Sequence, residues 1–187
     1  MEEDDSLQLL FSRLVVFRST PFGVDAWSAV GEPAPYTGRF HQRGDALPLY
    51  TSDSGQATLR ELELHTETPL EPPRDVLRRV TAIAIAAGSR VLVADHADTL
   101  EATGLTLEQV YHPTDYEACH ALADYARSVP GVVAIGTQSN AERQQRTVVV
   151  LPEHAASVTA PVEHWEGSLN LLKLAFGERS AVAQPSG

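Results

Sequence analysis

Short β-branched segments separated by proline and glycine limit the fold of this chain more than any other feature of its sequence. Residues 20–37 contain three prolines and two glycines, and residues 69–73 contain three more prolines. Proline lacks a backbone donor, so it interrupts both helix interiors and central strands. We therefore expect short strands joined by irregular loops, with few long helices.

Strand patterns recur along the chain as β-branched runs or as alternation of side chains to two faces. Strands are predicted at 12–19, 47–52, 89–96, 131–136 and 146–152. A further strand is predicted within 76–88, where side chains alternate in the second half of the segment. Gly88-Ser89 lies between two of these segments and predicts a tight turn.

Two segments have helical patterns. The first is predicted at 54–66, where Ser52, Asp53 and Ser54 are each suited to the N-cap and strong helix formers follow. The second is predicted at 115–129, with Asp115 available as its cap. Its apolar face is formed by Tyr116, Cys119, Leu122, Ala123 and Ala126.

These elements predict an α+β fold in which a mixed, mostly antiparallel sheet carries a few helices. A length of 187 residues with 43% apolar residues suits a single domain with a buried core. We expect an acidic N-terminal extension at 1–11, the domain at 12–176 and a flexible tail at 177–187.

The charge of the chain excludes some classes of partner. A net charge of −11 argues against nucleic acid or an anionic membrane as a general partner. No apolar run approaches the roughly 18 residues of a membrane span, and the acidic start MEEDDSLQLL does not resemble a secretory signal. With a single cysteine, Cys119, the chain has no internal disulfide, and we expect a soluble, cytoplasmic protein.

A cation, an aromatic ring and a carboxylate occur at equal intervals, because Arg39, Tyr50 and Glu61 are each eleven positions apart. Glu61 falls beside core-facing leucines of the first helix, so it either borders the core or belongs to a solvated face. The guanidinium of Arg39 suits phosphate oxygens or an ion pair, and Gly38 before it permits close approach of another group. Arg18 ends the first strand and is either a second phosphate-binding arginine or an ordinary surface residue at a strand end.

Other reactive residues lack a supporting pattern. His96, His112 and His120 have no spacing typical of a metal site, so no metal is expected. Cys119 lies on an apolar helix face and is interpreted as a packed thiol. No phosphate-binding glycine loop and no nucleophile elbow around Ser139 is present.

The order of several short motifs resembles that of the RES domain family. These motifs are FRS at 17–19, GRF at 38–40, LYTSDS at 49–54, REL at 60–62 and a late serine loop. The resemblance covers about residues 12–152. It implies a fold like that of ADP-ribosyltransferases and cleavage of the nicotinamide–ribose bond of NAD by water or by phosphate. It also implies a toxin role with an Xre-like antitoxin partner, and no cofactor beyond the substrate NAD, with inorganic phosphate as a co-substrate in some members.

Carried over by position, the resemblance implies that Glu61 and Arg39 are catalytic and that Arg18, Tyr50 and Ser139 bind the substrate. The loop GTQSNAERQQ lacks the proline that usually precedes the family serine, so Ser128 and Thr137 are rival positions for Ser139. Two other functions stay open, namely a binding module without catalysis and transfer of ADP-ribose to a protein.

Overall fold

In a computed structural model of the chain, residues 14–66, 77–112, 115–139 and 145–182 are described. The strands are β1 Leu14–Pro21, β2 Leu49–Ser52, β3 Leu77–Ile85, β4 Arg90–Val93, β5 Val132–Gln138, β6 Arg146–Val150 and β7 Thr159–Ser168. The helices are α1 Gly55–Thr66, α2 Ala97–Thr103, α3 Leu107–Tyr111, α4 Glu117–Ser128, α5 Pro152–Val158 and α6 Leu169–Val182.

All seven strands form one sheet in the order β4-β5-β6-β2-β1-β3-β7. Only the β4–β5 pair is parallel, and the other neighbours are antiparallel. Parallel strands need a long crossover, which α2, α3 and α4 supply here. The predicted α+β domain with a mixed, mostly antiparallel sheet is confirmed.

The sheet has a weak junction between β1 and β2, which pair only at Phe17 and Ser52. By contrast, β1 pairs with β3 at eight successive positions. The junction therefore divides the sheet into β4-β5-β6-β2 and β1-β3-β7.

The segment between β3 and β4 shows how strongly the sheet curls. Gly88 has a positive φ of 81° in the predicted turn, and the amide of Ser89 donates to the carbonyl of Ala86. The turn is confirmed, but it does not close a hairpin, because four strands separate β3 from β4 in the sheet. Ile85 and Val91 nevertheless share one buried cluster, so the two halves of the sheet fold toward each other.

The two predicted helices lie close to their expected positions. Ser54 caps α1 by accepting from the amide of Ala57 at 3.0 Å, while Ser52 and Asp53 have other partners. Cys119 is buried on the inner face of α4, as interpreted from the sequence. Tyr116 was wrongly assigned to that face, because it precedes the first helical turn and is 43% exposed.

Several elements were not predicted. Helices α2 and α3 have seven and five residues, too few for a clear apolar period. β7 is mostly exposed and lacks alternation. Helix α6, which was not predicted, runs from Leu169 to Val182 and so enters the segment expected as a tail. The bounds proposed for the domain itself stay a prediction.

The start of α1 depends on a glycine. A Cβ on Gly55 would lie 2.2 Å from the ring of Phe176, which packs edge-on against Phe17 and Trp165. We expect Gly55→Ala to lower the free energy of unfolding by about 1–3 kcal/mol, because the rings have to move. Gly177→Ala is the matched control, since nothing lies within 4 Å of its added methyl. Denaturant unfolding would show the difference, and equal tolerance of both changes would contradict this packing.

Candidate functional site

A cavity of about 680 Å³ opens at the weak junction of the sheet. Arg18 and Ser19 of β1 form one part of its wall, and Tyr50 and Thr51 of β2 form another. The remaining wall comes from the loop that joins these strands, from α1 and from single residues of neighbouring elements. Four of the five predicted site residues line it: Arg18, Arg39, Tyr50 and Glu61.

Glu61 is held by three hydroxyl groups. The Ser52 hydroxyl donates to Oε2 at 3.2 Å, and those of Ser139 and Thr147 each donate to Oε1 at 2.9 Å. All three donors are buried. A carboxylate has about four acceptor positions, so this network fixes the group and leaves capacity for a ligand donor. Glu61 is therefore not part of a solvated helix face.

The donors belong to a row of hydroxyls across the sheet. Ser52 of β2 pairs with Thr147 of β6, and Thr147 pairs in turn with Thr137 of β5. Partners in register present their side chains to the same face. Thr137 is fully buried and accepts from Arg39 Nη2 at 3.4 Å. One row of side chains thus orients both the carboxylate and a guanidinium.

Arg39 is also tied to the helical side of the domain. Its Nη2 donates to the Val110 carbonyl at 2.6 Å, and its guanidinium carbon lies 5.3 Å from the centre of the Phe40 ring. These contacts connect the loop between β1 and β2 to α3. The plane of the guanidinium is thereby fixed in the cavity wall.

Tyr50 is oriented by its phenol oxygen. This oxygen accepts from the amide of Phe40 at 3.0 Å and lies 2.9 Å from Nδ1 of His41. Burial raises the pKa of Tyr50, so the phenol stays protonated and shares a hydrogen bond with His41. The ring packs edge-on against that of His41.

Gly38 allows this arrangement. A Cβ at Gly38 would lie 2.2 Å from Cε1 of His41, whose side chain is buried. The carbonyl of Gly38 accepts from Nε2 of His120 at 2.9 Å, which ties the loop to α4. The close approach expected at Gly38 is thus made by the histidine that orients Tyr50.

His41 should give this loop a distinct pH dependence. Burial lowers its pKa, with a smaller effect of His120 in the same direction and opposing effects of Asp45 and Tyr36. The unfolded chain therefore takes up the proton first, and the free energy of unfolding falls as pH falls below about 6.5.

We expect the His41→Asn variant to lose less stability than the wild type between pH 7 and pH 5, because it lacks this titrating group. Urea unfolding of both proteins at the two pH values would measure the difference. Equal losses would show that protonation of His41 is not linked to folding.

Arg18 is a charged group without a protein partner in the described part of the chain. Its Nη1 is buried and forms no hydrogen bond there, and no described carboxylate lies within ion-pair distance. Burial lowers the pKa of the guanidinium, while Tyr36 and Asp25 act in the opposite direction. A guanidinium stays charged even so, and its burial costs stability unless an anion joins it.

Ser139 contacts the predicted catalytic carboxylate from outside the cavity lining. It is buried beside Glu61, and the residues that line the cavity do not include it. Of the rival positions, Thr137 contacts Arg39, and Ser128 donates to the Tyr125 carbonyl in α4. Ser139 thus helps to orient Glu61, and its predicted contact with the substrate stays a prediction.

A charged network holds Arg146 at the start of β6, next to Thr147 of the hydroxyl row. Arg146 donates to Asp95 at 3.0 and 3.4 Å, and the Tyr111 hydroxyl donates to the same carboxylate at 2.5 Å. Burial disfavours the charged form of Asp95, but these bonds outweigh it and its pKa is lowered. Burial and Asp95 raise the pKa of Tyr111 to about 12. The network fixes the start of β6 and hence Thr147.

Sequence reasoning missed Ser52, Thr147, His41 and Arg78 as residues of the site. Ser52 was considered only as a helix cap. The row of hydroxyls becomes visible only once strand register is known, because its members are far apart in sequence. Among the described residues, no cluster of three or more histidine, cysteine, aspartate or glutamate side chains could hold a metal ion. His96 instead caps α2 by accepting from the amide of Asp98.

Fold and site define the class of the protein: a single α+β domain with an arginine-rich cleft where its mixed sheet divides. The family model of the RES domain matches residues 14–170, so the chain belongs to the RES domain family. Among solved structures, it is similar to a chain of the M. tuberculosis MbcT–MbcA toxin–antitoxin complex, with 18% identity and a TM-score of 0.66. The match covers 88% of this chain and 90% of that one.

No curated protein sequence matched this chain. Across the described residues, none of the helices has both the length and the apolar character needed to span a membrane.

Proposed function

We propose that this protein cleaves the bond between nicotinamide and ribose in NAD and is the toxin of a toxin–antitoxin pair. The observation that carries the proposal is the Glu61 carboxylate, which three hydroxyls hold in the wall of an arginine-containing cavity. Membership in the RES domain family gives independent support.

The chemistry needs only one carboxylate. The nicotinamide nitrogen of NAD carries a positive charge, so it leaves as a neutral molecule when it takes the electron pair of the C–N bond. No general acid is required, unlike the two-carboxylate pattern of ordinary glycosidases. The ribose gains oxocarbenium character, and the fixed charge of Glu61 stabilises it. Water then adds to the anomeric carbon and its proton passes to solvent, giving ADP-ribose.

Arginines and aromatic rings would position the dinucleotide. Arg18 and Arg39 are suited to the two negative charges of the diphosphate, because a guanidinium forms paired hydrogen bonds to phosphate oxygens. Tyr50 offers a ring with a fixed phenol, while Tyr36 and Tyr116 line the cavity with exposed rings on which a base can stack. Holding both ends of the substrate lowers the entropic cost of reaching the reactive geometry.

A product assay tests the reaction. Purified protein is incubated with NAD, with and without inorganic phosphate, and the products are resolved by chromatography. We expect free nicotinamide together with ADP-ribose, or with ADP-ribose 1-phosphate if phosphate replaces water as the acceptor. Label from the adenosine part appearing on protein would indicate ADP-ribosyl transfer. NAD that binds without turnover would instead favour a binding module and contradict the proposal.

The structural likeness supports the proposed toxin role. The MbcT–MbcA complex is a toxin–antitoxin complex, and its matching chain shares this fold. We expect an antitoxin with an Xre-like domain to bind this protein and block the cavity. Expression of the chain alone should stop growth and deplete NAD, and co-expression of the neighbouring gene product should restore both. Growth arrest with unchanged NAD would contradict the link between toxicity and this reaction.

A further inference from the structure

Arg78, at the start of β3, is a cavity residue whose charge the proposed reaction does not use. It lines the cavity together with Ser19, and its Nε donates to the Ser19 hydroxyl at 3.3 Å. Burial lowers the pKa of the Arg78 guanidinium. No carboxylate of the described residues lies within ion-pair distance of it.

The next residue provides a comparison within the same strand. Arg79 points away from the cavity and pairs with Glu166 of β7, where Nε and Oε1 are 2.6 Å apart. The chain has 25 acidic residues. Arg79, outside the cavity, pairs with one of them, whereas Arg78, inside the cavity, has no carboxylate partner among the described residues. An unpaired guanidinium that is partly removed from water is a costly arrangement, and an anionic ligand would offset the cost.

The charges along the cavity wall also favour an anionic ligand. Its lining residues include three arginines, Arg18, Arg39 and Arg78, and one carboxylate, Glu61. The cleft therefore has a positive local field in a protein whose net charge is −11. The diphosphate of a dinucleotide carries two negative charges, which two arginines can match. The third arginine exceeds what that ligand needs.

We propose that Arg78 and Ser19 form a subsite for a phosphate group additional to the diphosphate of the dinucleotide. This inference rests on the proposed function for the role of the other two arginines. The guanidinium supplies charge and paired donors, and the serine hydroxyl supplies a third donor. Two sources share this chemistry, namely inorganic phosphate and the 2′-phosphate of NADP.

The first test requires no turnover. Inorganic phosphate is titrated calorimetrically into the wild type, Arg78→Gln and the matched control Arg79→Gln. We expect phosphate to bind the wild type and the control equally and to bind Arg78→Gln at least about tenfold more weakly, as loss of a charge-assisted pair predicts. Arg78→Lys should fall between them, because it keeps the charge but loses the planar fork. Equal binding by Arg78→Gln would overturn the subsite.

The second test separates the two sources. Dissociation constants of NAD and NADP are measured in a Glu61→Gln background, in which the dinucleotides should stay intact. If Arg78→Gln weakens NADP at least about tenfold more than NAD, the subsite holds the 2′-phosphate. The subsite holds inorganic phosphate if Arg78→Gln weakens both dinucleotides little and if, with Glu61 intact, added phosphate changes the turnover rate of the wild type but not that of Arg78→Gln. Equal, large losses for NAD and NADP would place Arg78 at the diphosphate and overturn the proposal.

The two tests also distinguish failure of the subsite from failure of the proposed function. Phosphate that binds through Arg78 in a protein that neither binds nor cleaves NAD would uphold the anion subsite and contradict the reaction. NAD cleavage that continues unchanged in Arg78→Gln, with phosphate binding intact, would uphold the reaction and contradict the subsite.

Discussion

The Glu61→Gln variant is expected to lose NAD cleavage by a factor of about 10²–10³ in kcat while it keeps its fold. Loss of one preorganised electrostatic group from an active site typically has an effect of this size. The amide has the same shape as the carboxylate and still accepts from the hydroxyls of Ser139 and Thr147. The change removes the negative charge that faces the developing oxocarbenium ion, and at the other oxygen it reverses one hydrogen bond, because the new amide nitrogen donates to the Ser52 hydroxyl.

Glu63→Gln is the matched control for this variant. It makes the same change on the same helix, at a carboxylate that pairs with Arg60 at 3.2 Å and with Lys173 instead of lining the cavity. We expect it to cost about 1 kcal/mol of stability or less and to leave kcat unchanged. Nicotinamide release and thermal unfolding are measured for all three proteins. Near-normal turnover by Glu61→Gln, or an equal loss in Glu63→Gln, would contradict the role of Glu61.

The Arg18→Met variant is expected to become more stable while it loses substrate binding. Arg18 has a buried Nη1 without a hydrogen-bond partner among the described residues, so its replacement by an apolar side chain of similar length removes a desolvation cost. We expect a gain of about 1 kcal/mol in the free energy of unfolding. The same change removes a guanidinium from the diphosphate, and kcat/KM should fall about 10²-fold. Opposite changes in stability and activity are typical of functional sites.

Arg90→Met is the comparison for this effect. Arg90 donates from the surface to the Pro130 carbonyl at 2.8 Å and does not line the cavity. Its loss should lower stability slightly and leave KM for NAD unchanged. Unfolding curves and steady-state kinetics of both variants test the pair. A less stable Arg18→Met protein with normal KM would mean that Arg18 supports the fold instead of the ligand.

Local sequence patterns predicted the elements that carry most of the site. The alternating and β-branched runs located β1, β2, β5 and β6, and the cap and apolar period located α1. They left Glu61 open between a core margin and a solvated face, and its three buried hydroxyl donors support the core margin. The order of GRF, LYTS and the acidic helix then connected Arg39, Tyr50 and Glu61 through family resemblance. All three residues line one cavity.

Long-range geometry accounts for what the sequence did not predict. The donors to Glu61 come from β2, β6 and the end of β5, and their convergence depends on strand register. Arg78 lies next to Ser19 only because β1 and β3 are antiparallel neighbours. The short helix α3 had a local signal in Thr106 and Gln109, which form a capping box, but its five residues show no apolar period.

The most direct measurement is a crystal structure of the Glu61→Gln variant with intact NAD. We expect the diphosphate to lie between Arg18 and Arg39. The nicotinamide ribose should have a hydroxyl or its anomeric carbon within about 3.5 Å of the side chain at position 61. NAD bound in the reverse direction, with its adenosine ribose at position 61, or bound outside the cavity, would contradict the assignment of Glu61 to the reacting ribose.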